Sequence, residues 1–237
     1  MSITISLKNQ DIDRDVVIPV EWEDISVQYW GELSSIIRRH YEDASDGMSS
    51  ADEKTHELLK EGMLSSLNQN TELNPSQTLN MNADIFSYIT GLTREEVNLV
   101  DVDVITRVIE CINKLTEEYK PKGKTSFDFD GETYNFPSEF FRKETYGDFI
   151  ESTQLDMYIK DMDNGRYDIL PEQMAILCRR VDEDYDEGLI PEKADKFRKL
   201  TMDIIWEFSF FLTHQSEKLT KLFHIYSENQ QQLQEEL

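Results

Sequence analysis

Hydrophobic residues in this 237-residue chain recur mostly at helical spacing, interrupted by two short stretches of strict alternation. At the start, Ile3, Ile5 and Leu7 alternate with polar residues, the segment NQDIDRD follows, and Val16, Val17, Ile18 and Val20 resume. A period of two predicts a small β-hairpin or two edge strands, with Pro19 directing the second strand to an edge. Ser26 opens a helix with the face Val27, Trp30, Leu33, Ile36 and Ile37, predicted to end near Arg38, Arg39 and His40, cations that suit a helix C-terminus. Beyond the loop EDASDGMSSADE, Ser50 and Glu53 form a capping box ahead of Leu58, Leu59, Met63, Leu64 and Leu67. Residues 68–82, made of Asn, Gln, Thr and Ser around one Pro, read as an exposed loop.

The second half of the pattern is better punctuated. A short helix with Ile85, Phe86 and Ile89 stops at Gly91, and Thr93 with Glu96 makes another capping box. Asp103 is the expected cap of a helix carrying Val104, Ile105, Val108, Ile109, Ile112 and Leu115. The tetrapeptide Lys120-Pro121-Lys122-Gly123 ends it and divides an N-terminal lobe, 1–120, from a C-terminal lobe, 121–237. In FDFDGETYNF, Phe127 and Phe129 face Tyr134 and Phe136 across Asp130-Gly131, a strong type I′ hairpin signal. Thr145 is the expected cap of a helix with Tyr146, Phe149, Ile150, Leu155 and Tyr158. Asn164-Gly165 turns the chain, and Pro171 is placed in the first turn of a helix bearing Met174, Ile176, Leu177 and Val181.

The densest apolar run is 201–226, with Ile204, Ile205, Phe208, Phe211, Leu212, Leu219, Leu222, Phe223 and Tyr226 on one wide face. Trp206 and Phe210 lie off that face, so residues 204–212 are expected to be buried nearly all round. Thr201 is the expected N-cap, and Asp203 in the first turn suits the positive end of the macrodipole. Asp203 and Glu207 also make the run too short for a membrane span. The fold class that follows is α+β, predominantly α-helical, with two small β-hairpins packed on a central C-terminal helix.

Charge narrows the range of partners. Lys plus Arg number 24 and Asp plus Glu 48, a formal net charge of −24, which disfavours nucleic acid and anionic lipid as partners. The acids are dispersed along the chain, which favours a solvated surface or a basic protein partner over a nucleic-acid mimic. The first 20 residues include Asp and Arg where a secretory segment would be apolar, and Cys111 and Cys178 each sit in a helical apolar pattern, so buried thiols in a reducing cytoplasm are expected.

Little in the motifs points to catalysis. His40, His56, His214 and His224 lack metal-ligand spacing, and no metal or other cofactor is expected. Asp11, Asp13 and Asp15 alternate without the Gly and distal Glu of a calcium loop. Asp161, Asp163 and Glu172 match three positions of such a loop, but Gly165 falls one place early. The phosphate-cradling GxxxxGK[ST] and GxGxxG patterns and the GxSxG elbow are missing from the sequence.

Taken together, the WEDISVQYWGEL helix entry, ITGLTREEVNLVDVDVI, FDFDGETYNF, ETYGDFIE, YDEGLIPEKADKF and IIWEFSFFL resemble small acidic structural and tail-assembly chaperone-like proteins of tailed bacteriophages, notably crAss-like phages. The chain departs from that pattern in its 68–82 segment and its extended C-terminal helix. The resemblance implies a non-enzymatic virion structural or assembly protein that contacts phage structural proteins, with self-association in a ring or tail assembly a further expectation. It would act in the host cytoplasm during assembly or within the virion. The alternatives are a tail-assembly chaperone absent from the mature particle, or an unrecognised enzyme or DNA-mimic inhibitor. Beyond Tyr226, Leu233 and Leu237 are the large apolar residues, spaced four apart, and are the predicted partner-binding positions.

Overall fold

A computed structural model describes residues 2–8, 13–45, 73–115, 119–137, 146–181 and 183–214 of the chain. The alternating stretch at the start forms β1 (Ser2–Lys8) and β2 (Asp13–Pro19), antiparallel, with Ile3 opposite Ile18 and Ile5 opposite Val16. This register gathers the apolar side chains on one face, where Leu7, Val16 and Ile18 are buried with Phe86, Leu92, Val97 and Val108. Arg14 Nη1 donates to the carbonyls of Thr90 and Gly91 at 3.2 and 3.3 Å and ties the hairpin to the helix end there.

Helix α1 (Val27–Ser45) starts as expected, with Ser26 Oγ accepting from the Tyr29 N–H at 3.2 Å. It does not end at Arg38–His40. Cations there favour a C-terminus without enforcing one, and no Gly or Pro intervenes before Gly47. The exposed loop expected over 68–82 is also corrected. Helix α2 (Pro75–Thr90) already runs from Pro75, because Asn74 and Gln77 form a capping box and Pro75 presets the first turn; residues 68–72 lie outside the described residues. Gly91 closes α2 at φ 66°, and the Thr93–Glu96 capping box opens the short helix α3 (Arg94–Val97). Helix α4 (Val102–Leu115) begins one residue before its expected cap. Asp101 supplies the carbonyl that takes the Val104 N–H at 2.9 Å, and Asp103 lies inside the first turn.

Strands β3 (Ser126–Phe129) and β4 (Glu132–Asn135) pair antiparallel around Asp130 (φ 53°) and Gly131 (φ 78°), the two positive φ values of a type I′ turn. Helix α5 (Tyr146–Gln154) passes into a 3₁₀ segment, Leu155–Asp161, and then α6 (Arg166–Leu177), α7 (Ile190–Phe197) and a final helix, α8, described from 202 to 214. Pro171 sits inside α6 rather than in its first turn, since Gly165, at φ 58°, starts the helix earlier. The same helix ends at Leu177, which leaves Val181 outside it and 79 % exposed. The helix expected at 50–67 and the part of the 201–226 run beyond 214 lie outside the described residues.

The element buried on every side is α6, whose Tyr167, Ile169, Leu170, Met174, Ala175, Ile176 and Leu177 are all in the core. Its approach to α1 is close enough that a Cβ on Gly31 would sit 3.0 Å from Tyr167 Cβ. By contrast α8 buries a stripe, Met202, Asp203, Ile205, Glu207 and Phe208, while Phe210 is 41 % exposed; burial nearly all round 204–212 is therefore corrected. Two of the buried positions on that stripe are carboxylates. The starts of α1 and α8 are stitched together by the Val27 N–H donating to the Leu200 carbonyl and the Met202 N–H to that of Ile25, both at 2.8 Å. Trp22 lies edge-on to Trp30 and Trp206 beside that seam. Phe197, fully buried, is met edge-on by Phe127, Phe129 and Tyr134 of the second hairpin, which seats β3–β4 on α7. The larger core cluster thus draws residues from both sides of the 120–123 turn. Among the described residues no helix is long and apolar enough to cross a membrane.

Candidate functional site

Carboxylates are the most abundant chemistry in the chain, and the fold uses them in two ways. On α8, Asp203 and Glu207 are one turn apart and both buried. Glu207 takes four donors from the 119–124 segment. Its Oε1 accepts from the Tyr119 hydroxyl at 2.8 Å and from the Lys122 N–H, and its Oε2 from the N–H groups of Gly123 and Lys124 at 3.0 and 3.1 Å. Asp203 receives Lys124 Nζ at 2.7 Å and the Thr201 hydroxyl at 2.5 Å. Burial pushes the Glu207 carboxyl up, but its backbone and tyrosine donors outweigh that and hold it below the ordinary value. Asp203 is likewise held low, with burial opposed by Lys124 and Thr201. Four hydrogen bonds onto one buried carboxylate make a structural staple, with every lone-pair direction in use.

The second arrangement is a shoulder where β4, the end of α6 and α7 meet. Asn135 and Arg179 exchange backbone hydrogen bonds of 2.8 and 3.3 Å, which fixes the hairpin against the chain leaving α6. Lys193 of α7 reaches between them. Its Nζ donates to the Cys178 carbonyl at 2.7 Å and to Glu183 at 2.6 Å, and lies 5.4 and 5.8 Å from the Tyr134 and Phe197 ring centroids. Burial pushes the Lys193 amine down, with Glu183 partly offsetting it. Glu183 also pairs with Arg180, whose Nη1 sits 2.6 Å from Glu132 on the hairpin. Arg179 pairs with the buried Asp148 of α5 at 2.6 Å and stacks under Tyr185, whose hydroxyl donates to Glu151. That bond, more than burial, pushes the Tyr185 phenol up to about 12. Toward solvent the shoulder presents Val181, Tyr185 and Leu189 among exposed Asp184, Asp186 and Glu187.

A third feature is an open cleft of about 480 Å³ between α1 and α2, lined by Arg39, His40, Asp43, Asp84, Ser87 and Tyr88 among others. His40 Nε2 lies 2.8 Å from Asp84, which also binds Arg94 at 2.8 Å. The Ser87 hydroxyl donates to the Leu92 carbonyl at 2.5 Å and is committed to the backbone, so the cleft assembles no serine–histidine nucleophile.

Of the residues with calcium-like spacing, Asp163 gives its backbone carbonyl to Arg38 and Glu172 lies 3.7 Å from Arg198. Among the described residues no group of three His, Cys, Asp or Glu side chains is placed to hold a metal ion. His214 is exposed at the end of the described chain, and His56 and His224 lie outside it. Cys111 is half-buried and Cys178 fully buried, both as free thiols. The predicted partner-binding residues Leu233 and Leu237 also lie outside the described residues. Spacing along the sequence gave no sign of the staple, since its partners are over eighty positions apart. No protein-family profile, curated protein or solved structure matches this chain.

Proposed function

We propose that the chain is a non-enzymatic interaction protein whose acidic surface recruits a basic face of a protein partner and, following the resemblance above, that this partner is a tailed-phage structural protein. The observation that carries the reading is how the charges are distributed. Among the described bases, Arg38, Arg94, Lys124, Arg179, Arg180, Lys193 and Arg198 are paired with carboxylates of the same chain. The surplus of acids over bases therefore faces outward, at positions such as Asp43, Glu95, Asp103, Glu110 and Asp130, all exposed. A surface of one sign speeds encounter with the opposite sign, and apolar contacts then hold the complex.

The test has two arms. Binding of the full chain to the structural proteins encoded beside it is measured from low to high salt, and purified particles are analysed by mass spectrometry. Salt-sensitive binding with stoichiometric recovery from particles supports a virion component. The same binding without recovery turns the reading into an assembly chaperone that leaves before maturation. If no neighbouring structural protein binds at low salt, the proposal fails.

A further inference from the structure

We infer that the shoulder presenting Val181, Tyr185 and Leu189 docks a basic segment of a protein partner, one that carries apolar side chains between its cations. This rests on the reading of the chain as an acidic interaction protein and says where on it the partner sits. Val181 is 79 % exposed and Leu189 50 %, and Tyr185 keeps 37 % of its surface while its hydroxyl is held by Glu151. Exposed apolar side chains grouped within an otherwise charged surface mark contact sites more often than isolated ones do.

The relief supports the same place. Glu183 lines both a recess of about 340 Å³ between Val181, Arg180 and the hairpin residues Glu132 and Thr133, and a narrow crevice of about 10 Å³ with Tyr185 and Leu189 on its wall. The walls are stiff. Asn135 and Arg179 are bonded backbone to backbone, and Lys193 locks Glu183 to the Cys178 carbonyl beneath. A preformed surface loses less entropy on binding than one that must order first.

Charge selects the occupant. Arg179, Arg180 and Lys193 are consumed by Asp148, Glu132 and Glu183, whereas Asp184, Asp186 and Glu187 stand exposed around the apolar residues. Nucleic acid and anionic lipid would meet like charge, and a second copy would bring another −24. A basic protein segment meets opposite charge at the rim and apolar surface at the centre, the usual division of an interface. With three apolar side chains at its heart the site suits a transient contact, at the small end of the roughly 1,200 Å² range.

The experiment uses the full chain and two synthetic twelve-residue probes of equal charge, one alternating Lys with Leu and one alternating Lys with Ser. Binding is followed by fluorescence anisotropy and by amide NMR shifts. The Lys/Leu probe is expected to bind more tightly, to shift amides of 183–190 and 132–133, and to lose roughly tenfold in affinity in Val181→Ser/Leu189→Ser. Val181 is mostly and Leu189 half solvent-facing, so the variant should keep the parent melting temperature, and an unchanged melt is the control. If the Lys/Leu probe binds in a salt-dependent way but shifts amides elsewhere, or binds the variant equally well, this site is wrong while the acidic-surface reading stands. If neither probe binds even at low salt, both are wrong.

Discussion

Glu207 and Glu183 are both held below the ordinary glutamate value by donors that overcome burial, yet they do different jobs. Glu207 is closed around by three backbone N–H groups and a tyrosine hydroxyl, all from the 119–124 segment. Glu183 takes one backbone N–H, from Arg180, and otherwise holds the side chains of Arg180 and Lys193 at a surface that continues into exposed acids. The difference is between a carboxylate enclosed by one loop and one that ties together side chains at a surface. It follows that the acid-rich composition is not one property. A few acids are structural, and the surplus is free to act outward.

The largest effect is expected from Glu207→Ala, which removes one buried acceptor from four donors at once. It should lower stability by about 3–5 kcal/mol, read as a shift of the urea midpoint. A small shift would mean the 119–124 segment is held by something other than the staple. The acid limb of the stability curve follows from the same bonds. A carboxyl with a lowered folded value contributes fully above its ordinary 4.5, and that contribution is lost as pH falls through the lowered value. Glu207→Gln should therefore flatten the loss of stability below pH 4.5, as measured by thermal melts across pH. Lys193 gives a slope of the same sign in a more alkaline window. Its lowered value penalises the charged form, so its contribution improves as pH rises from that value toward 10.5.

Glu183→Gln should cost less, about 1–3 kcal/mol, because Lys193 keeps the Cys178 carbonyl and Arg180 keeps Glu132. A cost equal to that of Glu207→Ala would erase the contrast between the two glutamates. In the hairpin that carries Glu132, Gly131→Val forces a β-branched residue to φ 78° and should cost about 1–2 kcal/mol in melts. The smallest effect belongs to Arg180→Ala. Its bridge to Glu132 is exposed on both sides, and such pairs are worth below about 1 kcal/mol.

How much of this the sequence reveals depends on how local the cause is. The type I′ turn at Asp130-Gly131, the Thr93–Glu96 box and the start of α1 at Ser26 are written in adjacent residues. The helix from Pro75 was also written locally, in Asn74, Pro75 and Gln77, but its polar residues hid the apolar period that usually betrays a helix. Apolar density misled at 204–212, where it marked α8 as the most buried helix. The element enclosed on all sides is α6, whose apolar residues run round the whole cylinder and give no one-sided stripe. The carboxylate staple was least legible. Asp203 and Glu207 read as a first-turn charge and as brackets on an apolar run, because nothing near them in the chain shows that residues 119–124 will arrive with N–H groups to bind.

Salt distinguishes the two uses of charge in one experiment. Binding of the Lys/Leu probe and the urea midpoint of the full chain are both measured while ionic strength rises from about 0.01 to about 1 M, which shortens the screening length from roughly 30 to roughly 3 Å. The account predicts that affinity falls steadily with salt while the midpoint holds or rises, since the buried bonds are shielded from ions and the self-repulsion of a chain at −24 is relieved. A midpoint that falls in step with affinity, or an affinity indifferent to salt, would contradict it.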